Sequence, residues 1–123
     1  MTRDDPVWTV PDPLGRRVGL TRDRWHDHIL AKRPELEPHV MRLPRVISDP
    51  LAICRDVDFE SSRQNFYRRG VYRDQPERYV KVTVEFEAPD RTGSIEGSVI
   101  TIQLVDNVPD QEEKIWPQRW WTG

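Results

Sequence analysis

The sequence predicts an α+β fold, with an N-terminal hairpin and two helices packed on one face of a four-stranded antiparallel sheet. Three observations predict it. Turn residues separate two strand-like runs near the N-terminus. Apolar residues then recur at spacings of three and four between positions 21 and 47, and alternate with polar ones after position 79. At 123 residues, one domain spanning 1–123 is expected, with 1–6 and 117–123 as flexible or interface tails.

The hairpin is expected from Val7–Val10 and Arg16–Leu20 around the turn cluster Pro11-Asp12-Pro13-Leu14-Gly15. A helix should follow, capped by Thr21 and stapled by Leu20 against Trp25. Pro34 disfavours helical geometry at Arg33, so this helix ends at Lys32 or Arg33. Leu36, Val40, Leu43 and Ile47 mark a second helical stretch over 35–47, kinked or split by Pro44. Ser48-Asp49-Pro50 ends it.

Four strands complete the chain. Residues 51–57 form a short one and residues 63–73 an arginine-rich one. Val80, Val82, Val84 and Phe86 alternate with Tyr79, Lys81, Thr83 and Glu85, as in a half-buried antiparallel strand. Pro89–Gly93 makes a turn, after which Ile100, Ile102 and Leu104 alternate against Val99, Thr101 and Gln103. The segment with Trp116, Trp120 and Trp121 has no period.

Apolar residues make up 36% of the chain and charged residues 33%, while five Trp, three Tyr and three Phe supply anchors for a core. That content argues against general disorder. The lone Cys54 lies in an apolar run and reads as a buried small hydrophobe rather than a nucleophile. With no partner for a disulfide, and no apolar run long enough for a signal peptide or membrane span, a cytoplasmic location is expected. Residues 1–81 hold 16 Lys and Arg against 13 Asp and Glu, whereas 82–123 hold 3 against 8. Such asymmetry fits an anionic ligand on one face, and equally an ordinary mixed surface.

Three groups of residues could carry chemistry. His28 lies one turn from Lys32, at the edge of the stripe that Trp25 and Ile29 define. A nearby cation disfavours the imidazolium, leaving the neutral ring a general base needs, though His28 could also be a core-edge residue with no task. His26 and His28 point apart on a helix and cannot share an ion, so no metal site is expected. Arg63, Arg68, Arg69 and Arg73 interleave with Phe66, Tyr67 and Tyr72, a mixture suited to phosphates and unpaired bases, or to a charged edge strand. Lys81 and Thr101 occupy the non-core faces of their strands, within reach of Tyr67 or Arg69. Nucleotide-binding glycine loops, Gly-x-Ser-x-Gly and paired catalytic carboxylates are not found, and no cofactor is expected.

The order of these pieces resembles the phage-associated branch of the barnase/EndoU/colicin/RelE-like (BECR-fold) nucleases. The resemblance rests on Gly15, Trp25-His26-Asp27-His28-Ile29, Arg33-Pro34-Glu35, Ser48-Asp49-Pro50, Tyr67-Arg68-Arg69, Tyr79-Val80-Lys81-Val82, Val99-Ile100-Thr101 and Ile115-Trp116, across roughly residues 10–116. Arg33, where a His is frequent, and Ile102-Gln103, where a small residue and an aromatic are frequent, depart from the pattern. Those departures imply altered substrate choice or lost activity.

The resemblance implies a metal-independent endoribonuclease of toxin or phage-effector type, cleaving RNA by attack of the ribose 2′-OH on the adjacent phosphate. It assigns His28 as base or acid, Lys32 and Lys81 as phosphate clamps, and Tyr67 and Thr101 as transition-state hydrogen-bonders. Arg33, Arg63, Arg68 and Arg69 would bind substrate, and an antitoxin or immunity protein would be an inhibitory partner. Two other readings stand beside it. One is an inactive domain of the same fold binding RNA or protein, and the other an interaction module that uses the Trp-rich tail.

Overall fold

Pro6–Pro11 (β1) and Arg17–Thr21 (β2) form the N-terminal hairpin, with Trp8 opposite Leu20 and Val10 opposite Val18. Its turn is held by Asp12, a buried carboxylate that accepts from the Leu14 and Arg16 backbone amides and from Arg16 Nε at 2.8–3.0 Å. The computed structural model describes residues 6–57, 62–86 and 95–117. The expected Pro89–Gly93 turn, Trp120 and Trp121 lie outside the described residues.

Thr21 ends β2 and caps the helix that follows, its Oγ1 accepting from the Arg24 amide at 3.2 Å. The helix is π-helical over Arg24–Ile29 and α-helical over Leu30–Lys32, and Leu30 N–H donates to the Trp25 carbonyl five residues back. Trp25 and Ile29 are buried, and burial of a side chain such as Ile29 contributes on the order of 2 kcal/mol. Arg33 adopts φ −138° and ψ 71°, the extended geometry that Pro34 demands.

The expected second helix over 35–47 is replaced by two shorter pieces. Pro34–His39 is a 3-10 segment containing Pro38, and Pro44–Ser48 is an α-helix with Pro44 in its first turn. Prolines lack the amide that would have carried one helix through. Leu36, Leu43, Val46 and Ile47 are nonetheless buried, so the apolar spacing still marks the side facing the core.

Five strands follow: β3 (Ala52–Arg55), β4 (Arg63–Arg69), β5 (Tyr79–Glu85), β6 (Gly97–Val105) and β7 (Lys114–Trp116). With the hairpin they make a seven-stranded mixed sheet in the order β1-β2-β6-β5-β4-β3-β7. This overturns the expected four-stranded antiparallel sheet under two full helices. The hairpin is part of the sheet, joined by a parallel β2–β6 contact through Val18↔Gly97 and Gly19↔Ser98. At the far edge, β7 pairs with β3 at Ile53↔Trp116 and Cys54↔Lys114. Among the described residues the helices are only three short pieces.

Phe66, Val80, Val82, Val84, Val99 and Ile102 line the sheet face that packs with Trp25, Leu36 and Ile47. Val99 was expected on the opposite face from Ile102. A β-bulge explains the change, because Thr83 pairs with Thr101 while Val84 pairs with Val99, leaving Ile100 as an extra residue. Trp8 ties the hairpin to the far side of this core, donating from Nε1 to the Val40 carbonyl at 3.2 Å. No helix among the described residues is long and apolar enough to cross a membrane.

The parallel junction depends on a small residue at Gly97. A Cβ there would lie 2.5 Å from Phe86 Cε1 and 2.7 Å from Val84 Cγ1, and Val84 is fully buried. Gly97→Ala should therefore destabilise the fold by about 1–3 kcal/mol, read as a lower urea midpoint.

Candidate functional site

No described strand continues the pairing of β6 beyond Ser98 on the hairpin side, and the first helix lies against the rest of that edge. Between them is a cleft of about 290 Å³. Arg24, His28, Ile29, Lys32 and Arg33 line one wall, and Ile100, Thr101, Ile102 and Gln103 line the other. Burying Trp25 and Ile29 leaves His28 and Lys32 exposed on the cleft side of the same helix. The bulge at Ile100 sits directly in the strand wall, where it changes which side chains of β6 face the helix.

Four of the residues singled out from sequence therefore meet here: His28, Lys32, Arg33 and Thr101. Arg24 joins them, and the described lining contains no carboxylate. Three strong cations and one imidazole around a hydroxyl make a site suited to an anion, because arginine forks match the oxygens of a phosphate. Arg24 and Ile100 also border a second, polar depression that includes Thr21, Ser62, Arg63, Glu85 and Ser98. There Arg63 Nε donates to Glu85 Oε2 at 2.8 Å, so its charge is already matched within the sheet.

Tyr67 and Lys81 lie on another part of the sheet, directly opposite one another on β4 and β5. Lys81 is half-buried and pairs on its other side with Gln103, itself part of the cleft wall. Tyr67 is fully buried, and its hydroxyl donates to Glu112 Oε1 at 2.6 Å. Burial, and then the hydrogen bond to that carboxylate, push the phenol well above its ordinary range. Tyr67 OH thus has a structural partner and does not open onto the cleft. Arg68 donates to Asp49 on the helix-bearing face, and Arg69 is exposed with its guanidinium 5.2 Å from the Tyr79 ring centroid.

Glu112 is the residue that the sequence hid. It is buried beneath the chain returning from β6 to β7, and besides Tyr67 it accepts from Asn65 Nδ2 at 3.0 Å. Asn65 Oδ1 in turn accepts from Thr83 Oγ1 at 2.7 Å, and Thr83 lies opposite Thr101 in the β5–β6 ladder. A hydrogen-bonded chain therefore runs from Glu112 through Asn65 to Thr83 on β5, the strand next to the one that borders the cleft. Asn65 and Tyr67 share a strand face by alternation, which is legible in sequence. Their acceptor sits in the acidic run Asp110–Glu113, where no local pattern marks one carboxylate as buried.

Among the described residues, no group of three or more His, Cys, Asp or Glu is arranged to hold a metal ion. Cys54 is free and buried beside this network. Comparison with known proteins finds no matching family model, no matching curated protein and no matching solved structure.

Burial, and then the nearby Glu112 carboxylate, push the Cys54 thiol up to about 11 from 9.0. A thiol whose ionisation is harder in the folded state leaves stability intact below pH 9. Stability is then lost as pH rises towards 11, because the unfolded chain sheds the proton first. The expected result is a fall in unfolding midpoint across that window, smaller in Cys54→Ala, together with slow reaction of the native thiol with maleimide.

Proposed function

We infer that the protein is a metal-independent endoribonuclease whose reaction takes place in the cleft between the first helix and β6. The observation that carries this reading is the convergence of His28 with Arg24, Lys32, Arg33 and Thr101 in a lining without a described carboxylate. The ordered motifs that resemble BECR-fold nucleases add to it. In this reaction His28 accepts the proton of a ribose 2′-OH. The O2′–P bond forms, the P–O5′ bond breaks, and the protonated His28 then gives its proton to the departing O5′, so the products are a 2′,3′-cyclic phosphate and a 5′-hydroxyl. Lys32, Arg24 and Arg33 offset the charge that develops on the phosphorane oxygens, and the Thr101 hydroxyl donates to one of them.

The machinery is narrower than sequence alone suggested. Tyr67, bonded to Glu112, supports the sheet rather than the substrate, and Lys81 borders the site from the neighbouring strand. Such an enzyme belongs in the cytoplasm with its RNA, a setting consistent with a free Cys54. An inhibitory protein for it would present carboxylates to the cleft.

One observation favours a second reading, RNA binding without cleavage. His28 is the single imidazole in the described lining, which also holds no carboxylate, so one group would have to serve both proton transfers.

The two readings separate in one assay. Purified protein is incubated with 5′-labelled single-stranded RNA in EDTA, alongside His28→Ala. Cleavage to cyclic-phosphate ends that survives EDTA, and falls by about 10²–10⁴-fold in the variant, is the expected result. Binding without cleavage at any protein concentration contradicts the enzyme and leaves the second reading.

A further inference from the structure

The end of β4 carries a second concentration of positive charge, apart from the cleft. Arg42, Arg45 and Arg68 line one depression together with Gly70 and Val71. Arg68 and Arg69 line another beside it, with Asp49, so Arg68 is common to both. Four guanidiniums from two separate chain segments thus gather around a single carboxylate. Arg68 Nη1 donates to Asp49 Oδ2 at 2.9 Å, and Arg45 Nη2 lies 4.0 Å from the same oxygen. Arg42 Nη1 instead donates to the neutral Val71 carbonyl at 3.2 Å. Both Arg45 and Arg69 are exposed. Like charges brought this close repel, and one carboxylate offsets only one of the four. An external anion with several acceptor oxygens completes such a cluster favourably.

This basin is linked to the cleft by a short run of contacts. Arg33 lines the cleft and leads directly into the 3-10 segment Pro34–His39. Tyr72 stacks on His39 with ring centroids 4.3 Å apart. The next residue back along the chain, Val71, gives its carbonyl to Arg42. One stacked aromatic pair therefore stands between the two groups of cations.

We propose that the Arg42/Arg45/Arg68/Arg69 basin is a second phosphate-binding subsite, which holds the backbone of the same single-stranded RNA that occupies the cleft. The proposal rests on the cleft reading, and extends it from one scissile phosphate to a strand of several nucleotides. Single-stranded RNA suits this surface because its flexible backbone can follow the surface past the Tyr72–His39 stack, and its phosphates meet cations on either side.

Fluorescent oligoadenylates with methylated 2′-hydroxyls, which cannot be cleaved, provide the probe. Wild-type affinity should rise steeply between strands of about 4 and about 12 nucleotides, since only the longer strand reaches both basins. Arg45→Gln/Arg69→Gln should abolish that gain, and should lower the salt slope for the longer strand by about 1.4, at about 0.7 per phosphate contact. Arg42→Gln/Arg68→Gln provides an independent check, with circular dichroism to confirm the fold. Loss in either basin variant, with none in Lys32→Gln/Arg33→Gln, keeps the basin and overturns the cleft. Loss in the cleft variant alone overturns the basin. A wild-type protein that binds neither strand overturns both.

Discussion

The fold turns on how briefly β2 stays beside β6. Two residue pairs, Val18↔Gly97 and Gly19↔Ser98, make up the described pairing of the hairpin with β6, and just before them the Glu96 amide donates to the Arg17 carbonyl at 2.8 Å. Both sides of that junction carry glycine, and at Gly97 the side chains of Phe86 and Val84 leave no space for a Cβ. Thr21 then stops pairing and caps a helix instead, so the chain leaves the sheet and returns across the edge of β6. Trp25 and Ile29 anchor the helix by burial, which leaves Arg24, His28, Lys32 and Arg33 beside the strand. Had β2 kept pairing to Val105, no cleft would exist there. The candidate site is a consequence of an early strand ending.

The opposite edge of the sheet is held by a different interaction. A buried carboxylate is costly unless its oxygens are bonded, and Glu112 meets Tyr67 on one oxygen and Asn65 on the other. Those two donors come from alternate positions of β4, so the bond fixes the chain between β6 and β7 across the sheet face. Arg55 N–H donates to the Glu113 carbonyl at 2.8 Å, and β7 extends the contact along β3. Tyr67 therefore belongs to the support of the sheet, and through Asn65 that support extends to Thr83 on β5, the neighbour of the strand that borders the cleft.

Much of this arrangement could be read from residue spacing, and the parts that could not share a cause. The hairpin, the Thr21 cap, the burial of Trp25 and Ile29, and the strands around Phe66 and Val82 follow from local periods and caps. Parallel pairing of β2 with β6 leaves no local mark, since it joins residues 18 and 97. The three residues of β7 are too few to show alternation, and the bulge at Ile100 hides inside an apparently regular run. Prolines at 34, 38 and 44 do announce interruptions, but the apolar spacing of Leu36, Leu43 and Ile47 masks how completely they divide the helix. Within the site, His28, Lys32, Arg33 and Thr101 came together because a helix face and a strand were each legible. Arg24 and Glu112 acquire their roles only from tertiary pairing.

The ribonuclease reading requires the β6 edge and the first helix together to hold an RNA backbone. Amide hydrogen exchange with and without a 2′-O-methyl RNA strand tests it most directly. Slower exchange at residues 24–33 and 100–103, joined by 42–45 and 68–69 for a strand long enough to reach the second basin, is the predicted result. Protection that leaves those segments unchanged and appears instead along β3 and β7 would contradict it.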